Sequence, residues 1–521
     1  MPDTQPRAKT VVKELPHAQL NRIVSRELLR LVGVVVVTLF LYIVPLALFP
    51  QGSGNAATFY SLLLVGIVTL ALSIWSEYTA LLLAITTAVT QNTILGLVHG
   101  DDGAIPVAVS ETKSIILVIL AGVMLLRAVF TTRFGRYWFL LAIAYALGVV
   151  ALAAQIDQSF AANARNFILP FLLLIAIIAS PRSNQVLLKI RLYLMAVGLA
   201  IFLAIGSILE AQIGSRSWKR IMNVDTLAGL NALSEQTMVF GRSALRVGGF
   251  LVEPINAGYV ASFLLSYLLL VLIDRLWHPR QGQLLVIFGL LLGCIAALST
   301  IFLAATKNSL LVVATAVVCY LLISKWPQSP RVAFGLTMAF GTVSTFVYTA
   351  TVQGASYLAG VWSDPIGRSG GESTSIHIAG LLEGVYSLAE APFGHGVGSG
   401  GNFYRLYNPE ISRHDWLSTG AESALGTFVY QTGIIGVVLL GLVLYFVLPK
   451  LHPIGLAVFT SWFCASLFSE AIFGSIVAIP AIVLAAYLLP NQGVKDAQRG
   501  TSKSQEATPS VLHTRKRAGK A

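Results

Sequence analysis

The residues best suited to chemistry in this sequence are a few cations that interrupt long apolar runs. Arg246 stands in the glycine-containing segment 246–258, which leads directly into an apolar run. Lys307 lies in a short polar turn between two other runs, and Arg165 stands near the start of a further one. A guanidinium or ammonium group beside the free amides of a helix start is suited to bind a phosphate. Alternatively, each cation is a structural anchor that reaches toward lipid headgroups or closes a turn.

Candidate acid and base groups lie in the longest polar interruption of the sequence, residues 353–420, and directly after it. His377 falls at the start of a helical pattern, and Glu422 stands where the chain returns to an apolar run. Either group could deprotonate a hydroxyl. Glu422 could instead stabilise the positive end of a helix, and a single histidine is often structural. His395, in a flexible glycine-rich turn, and Arg368 are further candidates for substrate binding.

Three other polar groups could assist these residues. Asn256 lies at the start of a predicted helix, where free backbone amides favour an anion. Glu210 and Glu470 stand at the edges of apolar runs, where ionisable residues are uncommon and often functional. The three cysteines lie inside apolar runs, and the sequence shows no metal-ligand spacing. The sequence therefore predicts neither a metal nor another cofactor.

The elements that must position these side chains are membrane helices. Of the 521 residues, 56% are hydrophobic and only 11% are charged, whereas soluble domains contain about 25% charged residues. Continuous apolar runs of about 18 to 20 residues can cross a bilayer as helices, and they lack the alternation of β-barrel strands. About fourteen such runs predict an all-α polytopic membrane protein: 31–49, 58–75, 78–98, 114–130, 137–154, 166–180, 190–210, 255–273, 283–302, 309–324, 333–351, 425–448, 453–469 and 471–489.

Basic residues outside these runs indicate an orientation. Residues 1–30 and 491–521 are basic tails, the second of them predicted to be disordered. Alternate short loops are also basic, as expected for cytoplasmic segments, and together these regions account for much of the net charge of +12. Nucleic acid is therefore not a predicted partner. With both termini in the cytoplasm and membrane helices in 31–352 and 423–490, two long segments face outward. They are a basic loop near 211–254, which contains Arg242 and Arg246, and a cap at 353–422.

The order of these motifs resembles the O-antigen ligase/polymerase superfamily of bacterial envelope glycan synthesis. In that family a segment of the type Arg-x-x-Gly-x-Phe-x-x-Pro-Asn opens a helix. Residues 246–256 are similar, although one residue separates the proline from the asparagine. A turn of the type Thr-x-Ser-Arg-Gly follows in the family. Residues 306–309 are similar to this turn, with Lys307 and no arginine.

The resemblance continues in the later motifs and covers about residues 110–490. Residues 392–398 resemble the family's Pro-x-x-Gly-x-Gly element in a large external loop, and residues 433–436 resemble its Gly-x-x-Gly helix. The ligase branch typically has histidine where this chain has Glu422, so the resemblance favours the polymerase (Wzy-like) branch. The family's arginine before the glycine element is displaced, because the position near the cap helix holds His377 and Arg368 lies upstream.

This resemblance implies a metal-independent glycosyltransferase of GT-C-like architecture, with a large extracytoplasmic cap between late helices. It would act at the outer face of the bacterial inner membrane, joining undecaprenyl-pyrophosphate-linked oligosaccharide units into O-antigen, capsule or exopolysaccharide. Its partners would be this lipid-linked substrate, the lipid bilayer, and a chain-length regulator or export machinery.

The resulting hypothesis assigns roles to the candidate residues. The donor pyrophosphate would be held by basic residues, and an acid or histidine would deprotonate the acceptor sugar while the cap excludes water. The predicted pyrophosphate ligands are Arg246 and Lys307, with help from Arg165 or Arg242. Either Glu422 or His377 is the predicted base.

Three rival functions fit the same composition. A glycan ligase would transfer the chain to a lipid or protein acceptor. A transporter of polysaccharide or lipid with about fourteen spans would usually show internal repeats and broken helices near the bilayer midplane, and the sequence shows no convincing repeat. A structural factor for envelope assembly would tolerate loss of the charged residues in the cap.

Overall fold

The computed structural model describes residues 17–48, 55–99, 109, 111–181, 185–224, 236–239, 242–277, 284–306, 308–353 and 373–487. The helices before the first strand are α1 (His17–Leu48), α2 (Asn55–Trp75), α3 (Glu77–His99), α4 (Thr112–Thr131), α5 (Gly135–Ala151), α6 (Gln158–Ala179), α7 (Gln185–Ile213) and α8 (Ser215–Ile221). The strands β1 (Gln236–Val239) and β2 (Arg242–Leu245) form an antiparallel hairpin that departs from the all-α prediction.

The remaining helices follow the hairpin. They are α9 (Pro254–Trp277), α10 (Leu284–Ala304), α11 (Ser309–Lys325), α12 (Pro330–Gln353), α13 (Ser373–Glu390), α14 (Gly401–Tyr407), α15 (Arg413–Ser418), α16 (Ala424–Val447), α17 (Pro453–Ala465) and α18 (Ser475–Ala486). Short 3-10 turns occur at Gly249–Leu251, Leu448–Lys450 and Glu470–Phe473.

Each of the fourteen predicted runs coincides with one helix, namely α1 to α7, α9 to α12 and α16 to α18. Within the described part of the chain, nine helices are long and apolar enough to cross a membrane: α1, α2, α3, α4, α6, α7, α9, α10 and α16. Four further apolar helices, α5, α11, α17 and α18, are shorter. The prediction of a multi-pass, helical membrane protein is confirmed at this level.

The outer helices expose apolar stripes that only lipid can cover. On α10, for example, Leu285, Phe288, Ile295 and Phe302 are all more than 60% exposed. Their spacing of three or seven residues places them on one face of the helix. Such a large apolar surface is unusual on a protein that is surrounded by water. We infer that this face of the bundle contacts lipid tails.

Helix α9 forms the centre of the bundle and is buried along most of its length. It packs against α7, α10, α11, α17 and α18. Small side chains in its first turns, such as Gly258, allow the polar turn that precedes α11 to approach closely. A Cβ atom on Gly258 would lie 2.3 Å from the Thr306 hydroxyl oxygen. The start of α9 therefore lies deep among the ends of its neighbours.

A cluster of aromatic side chains supports the late turn at Glu470–Phe473. The ring of Phe473 lies 5.7 Å from Phe171 of α6 and 5.5 Å from Trp462 of α17, between ring centroids. The indole N–H of Trp462 donates to the Ile472 carbonyl at 3.0 Å. This turn is thus fixed by packing on one side and by a buried hydrogen bond on the other.

Helix α16 is broken at Gly433, and the glycine-rich segment 392–398 fills the break. Gly433 adopts φ +58° and ψ −155°, a region that favours glycine. The Ile434 amide donates to the Pro392 carbonyl at 2.9 Å, and the Gly396 amide donates to the Gln431 carbonyl at 2.9 Å. Since buried backbone groups need partners, the segment replaces bonds that the helix cannot make. The predicted flexible turn is therefore a bonded part of the fold.

Candidate functional site

A cavity of about 420 Å³ lies where many helix ends meet. Its lining comes from the first turns of α4, α9, α14 and α18, from residues further along α6 and α13, and from the segments that precede α9, α11, α16 and α18. A helix N-terminus carries free N–H groups and the positive end of the helix dipole. The first turns of four helices at this cavity therefore favour a negatively charged ligand.

Among the described residues, three cations line this cavity: Lys113 of α4, Arg165 of α6 and Arg246 in the segment before α9. The Arg246 Nε atom is buried and has no hydrogen-bond partner, and the same is true of the Arg165 Nε atom. Unpaired buried donors are costly and call for a partner. These two Nε atoms have almost no accessible surface, so a ligand in the cavity would have to bind the terminal nitrogens of the two guanidinium groups.

Arg165 is already held in place by an acid. Its guanidinium group donates to the carboxylate of Glu111, and it lies 5.7 Å from the centre of the Phe403 ring of α14. Burial tends to raise the pKa of Glu111, but the charge and hydrogen bond of Arg165 hold that pKa below its usual value. Glu111 is thus ionised at neutral pH and fixes Arg165 at the cavity wall.

Arg246 faces a second acid, Glu253, which lies directly before α9. Burial raises the pKa of Glu253, and the charge of Arg246 opposes this rise. The side-chain amide of Asn256 donates to the Glu253 carboxyl group. Asn256 lines the cavity as predicted, but its side chain contacts Glu253 and orients that acid.

The segment that carries Arg246 is fixed by Glu210 at the end of α7. The buried carboxylate of Glu210 accepts from the Gly248 amide at 2.9 Å, the Gly249 amide at 2.6 Å and the Ser215 hydroxyl at 2.7 Å. Glu210 itself does not line the cavity. Its acid group therefore shapes the turn that follows Arg246.

His377 and Glu422 form a pair on the wall of the cavity. The His377 Nδ1 atom lies 3.0 Å from the Glu422 backbone carbonyl and 3.7 Å from the Glu422 Oε2 atom. A carbonyl oxygen only accepts, so Nδ1 carries a proton and donates to it. In the neutral ring the lone pair is then on Nε2, which can accept a proton. The nearby carboxylate would stabilise the imidazolium ion that forms.

Glu422 holds an unusual backbone conformation, with φ +68°. Apart from glycine, residues other than asparagine and aspartate rarely adopt this left-handed conformation. Ala305 in the same cavity wall has φ +50°, and Val252, next to Glu253, has φ +66°. Such conformations cluster at functional sites because surrounding contacts must hold them.

Glu470 is the third acid of the cavity and is only 8% exposed. Burial raises its pKa to about 8, so it is largely protonated at neutral pH. Both carboxyl oxygens lie 2.9 Å from the Asn402 backbone nitrogen, which donates to them. At neutral pH this acid therefore adds little negative charge to the cavity.

The structure brings five of the nine predicted site residues to one cavity. They are Arg165, Arg246, Asn256, His377 and Glu422. His395 is not among the lining residues. Its exposed ring stacks on Tyr430 at 4.2 Å between centroids, so the structure does not place it where the predicted substrate-binding role would need it. The reason is that segment 392–398 is bonded into the break in α16.

For three of the predicted residues, the structure does not describe a side-chain position. Lys307 and Arg368 lie outside the described residues, although the neighbours of Lys307, Thr306 and Asn308, line the cavity. Arg242 lies in β2, where the structure describes the backbone only. Among the other cations of the predicted outward loop, Arg216 and Arg220 are exposed, whereas Lys219 is buried.

Sequence reasoning missed two ionisable residues that line the cavity, Lys113 and Glu253, as well as the acid Glu111 that fixes Arg165. Lys113 directly precedes an apolar run, as Arg165 does, and the same signal could have selected it. Glu470 was considered as an acid at a membrane edge, and the structure places it beside Asn402.

No family model, no curated protein and no solved structure matches this chain. The likeness to the O-antigen ligase/polymerase superfamily therefore rests on the sequence motifs alone. Over the described ranges, no group of three or more histidine, cysteine or acidic side chains is arranged to hold a metal ion.

Proposed function

We propose that the protein is a polysaccharide polymerase, a glycosyltransferase that joins oligosaccharide units carried on a polyprenyl pyrophosphate. The observation that carries this proposal is a single cavity that is lined by two arginines, a lysine and a histidine–glutamate pair. The cations can hold a diphosphate, and the pair can activate a sugar hydroxyl. The sequence motifs of the glycan ligase/polymerase superfamily support the same assignment.

The cations would act on the leaving group. Arg246, Arg165 and Lys113 can neutralise the charge that develops on a departing pyrophosphate, and preorganised cations of this kind supply a large part of catalysis in many enzymes. Lys307 would join them, because the residues on both sides of it line the cavity. The proposal includes independence from divalent metal ions, which the experiment below tests.

The His377–Glu422 pair would act on the acceptor. The acceptor hydroxyl oxygen attacks the anomeric carbon of the donor sugar, and the bond from that carbon to the pyrophosphate oxygen breaks. The electron pair leaves with the polyprenyl pyrophosphate, and the hydroxyl proton goes to Nε2 of His377. The Glu422 carboxylate stabilises the resulting imidazolium ion.

The position of the cavity suits an amphiphilic substrate. It lies at the ends of apolar helices, so a polyprenyl chain could remain in lipid while its pyrophosphate and glycan reach the polar wall. The proposal includes fourteen spans in the bacterial inner membrane, with both termini in the cytoplasm and the cavity on the outer side. Residues 373–422 would form the described part of the cap above it.

The test uses purified protein in lipid nanodiscs with a polyprenyl-pyrophosphate oligosaccharide and EDTA. A ladder of longer lipid-linked glycans is the expected product. Arg246→Ala should raise the KM for the donor and lower kcat, whereas the exposed Arg133→Ala should leave both unchanged. A ladder of equal yield from Arg246→Ala, at equal protein level, would contradict the assignment of this arginine.

Other products would identify the rival functions. Transfer of the glycan to an added lipid or protein acceptor, without a ladder, would show a ligase that uses the same cavity. Movement of the intact lipid-linked glycan across the bilayer, without any new glycosidic bond, would show a transporter. A ladder that forms only when Mg²⁺ or Mn²⁺ is added would overturn metal independence but leave glycosyl transfer in place.

A further inference from the structure

A cluster of charged and aromatic side chains joins three helices at the end of the bundle opposite the cavity. Its carboxylate is that of Glu27 in α1, and its two cations are Arg30 of the same helix and Arg191 of α7. The Arg30 Nη1 atom donates to both Glu27 oxygens, at 2.6 and 2.8 Å, and the Arg191 Nε atom donates to one of them at 3.1 Å. One negative charge is thus shared by two positive charges.

Both guanidinium groups lie over the ring of Tyr78 in α3. Their central carbon atoms are 4.8 Å from the ring centroid for Arg191 and 6.0 Å for Arg30. The Tyr78 hydroxyl donates to the Arg191 carbonyl at 3.2 Å, and its ring lies 6.0 Å from that of Tyr487 between centroids. These contacts hold the two guanidinium groups side by side, so a ligand that binds them needs to order little.

The cluster lies near the membrane surface that is opposite the cavity. From Arg191 to Glu210, which contacts the backbone after Arg246 at the cavity end, α7 rises by about 28 Å. The hydrocarbon core of a bilayer is about 30 Å thick. Since α7 is long and apolar enough to cross a membrane, the two guanidinium groups lie at the level of the lipid headgroups.

The two arginines keep N–H groups for a ligand at this surface. The Arg30 side chain is 24% exposed and the Arg191 side chain 16%, whereas Glu27 is only 7% exposed. Over the described residues, neither Nη atom of Arg191 has a hydrogen-bond partner, and no further carboxylate pairs with either arginine. This group of three ionised side chains therefore carries a net positive charge at its exposed edge.

The adjoining face of α1 is apolar and exposed. Leu28, Leu29 and Val32, which flank Arg30 in the sequence, are 55%, 74% and 59% exposed. Aliphatic side chains at this level can pack against acyl chains while the neighbouring guanidinium groups reach the headgroups. The surface is thus complementary to an amphiphile with an anionic head.

We propose that this cluster binds the phosphate of an anionic glycerophospholipid, with Arg30 and Arg191 as its ligands. Arginine binds phosphate through parallel N–H groups, and basic pockets between membrane helices recognise anionic lipids in this way. Glu27 positions the two arginines and limits the charge of the site. The inference does not depend on the proposed function, because the cluster and the cavity lie at opposite ends of the bundle.

The test uses the full chain in a neutral detergent and native mass spectrometry. Phosphatidylglycerol and phosphatidylcholine with identical acyl chains are titrated separately, and the Kd of the first bound lipid is measured. We expect phosphatidylglycerol to bind at least about fivefold more tightly, and Arg30→Gln or Arg191→Gln to weaken its binding about fivefold. The control Arg26→Gln removes an exposed cation one turn earlier in α1 and should leave the Kd unchanged.

Glu27→Gln separates lipid binding from helix packing. It removes the competing negative charge but keeps an amide oxygen that can accept from both arginines. Phosphatidylglycerol should therefore bind more tightly to this variant, by about fivefold. A folded Glu27→Gln with unchanged or weaker binding would show that the arginines only join the helices. If Arg191→Gln fails to fold, as its Tm would reveal, Arg30→Gln and Glu27→Gln decide.

Inorganic phosphate distinguishes a lipid site from a site for a free anion. Phosphatidylglycerol should raise the Tm of the delipidated protein, because a ligand that binds only the folded state stabilises it, and inorganic phosphate should not. A rise with inorganic phosphate that is lost in Arg30→Gln would overturn the lipid assignment. Equal affinity for the two lipids, or an equal loss in Arg26→Gln and Arg30→Gln, would overturn the site itself.

Discussion

At the scale of single residues, Glu422 combines a functional side chain with a backbone conformation that glycine would adopt more easily. Its φ is +68°, and its carbonyl accepts a hydrogen bond from Nδ1 of His377. We therefore expect Glu422→Gly to be more stable than Glu422→Ala by about 1 kcal/mol, because alanine retains the strain of a Cβ atom.

Thermal unfolding of both variants in one detergent measures this difference. Both should lose glycosyl transfer, since neither has a carboxyl group beside His377. The Gly variant should nevertheless have the higher Tm. An alanine variant with an equal or higher Tm would mean that the left-handed conformation is absent in solution.

Glu470 should make the stability of the protein depend on pH. Its pKa is about 8 in the folded protein, whereas an exposed glutamate titrates near 4.3. Between these values the unfolded chain binds fewer protons than the folded chain, so the stability contributed by Glu470 falls as pH rises through this window. The slope is at most about 1.4 kcal/mol per pH unit.

The comparison of wild type with Glu470→Gln isolates this effect from the other ionisable groups of the cavity. These are Lys113, Arg165, Arg246, Glu253, His377 and Glu422. The Tm of wild type should decline more between pH 5 and pH 8 than that of Glu470→Gln, which cannot ionise. Parallel declines would show that Glu470 is ionised across this range in the folded protein.

The sequence located much of this site because its residues interrupt apolar runs. Arg165 stands directly before such a run, Asn256 at the start of one and Glu422 a few residues before another, and the structure gathers them in one cavity. Which helix ends share a cavity depends on packing between distant segments, and a single sequence does not show this. For that reason the partner of Arg165, Glu111, and the contact of Glu470 with Asn402 were not predicted.

At the scale of elements, helix positions were predictable and connections were not. All fourteen apolar runs form helices, because hydrophobic length alone specifies a membrane helix. The glycine-rich segment 392–398 was expected to be flexible, since glycine pairs suggest a turn when no partner is known. Its hydrogen bonds to the broken helix α16 depend on contacts between residues about 35 positions apart, which no local pattern reveals.

Two glycines of α16, Gly433 at the break and Gly441 further along the helix, should respond differently to substitution by alanine. A Cβ atom on Gly433 would lie 2.3 Å from the Gly394 nitrogen, and its φ is +58°. Gly441 has nothing within 4 Å of its Cβ position. We expect Gly433→Ala to destabilise the protein by at least about 1 to 3 kcal/mol. Gly441→Ala should be neutral or stabilising by up to about 1 kcal/mol.

Thermal unfolding in detergent and exchange in segment 392–398 would measure the effect. A loss of protection confined to this segment and α16 would show that the break and the segment form one unit. Equal stability of the two alanine variants would contradict the described conformation of Gly433.

At the scale of the whole molecule, the proposed orientation can be tested by labelling. Glu410 is exposed between α14 and α15, at the cavity end of the bundle, and Gln328 is exposed in the turn between α11 and α12 at the opposite end. In a cysteine-free background, Glu410→Cys should react with an impermeant maleimide in spheroplasts. Gln328→Cys should react only after permeabilisation.

The opposite labelling pattern would place the cavity in the cytoplasm and would contradict the proposed site of polymerisation. Labelling of both positions in intact spheroplasts would indicate leaky membranes, which a cytoplasmic marker enzyme in the medium would reveal. Expression of both variants at the wild-type level is the control for correct insertion.

The cavity lining extends along the sequence from Lys113 to Ile476, and this has a consequence for biogenesis. A ribosome delivers Arg165 and Arg246 to the membrane long before it has translated His377 and Glu422. Under the proposed function, a chain that is truncated between these two pairs would hold the cations for the donor but no group to activate the acceptor. We therefore expect such fragments to transfer no sugar.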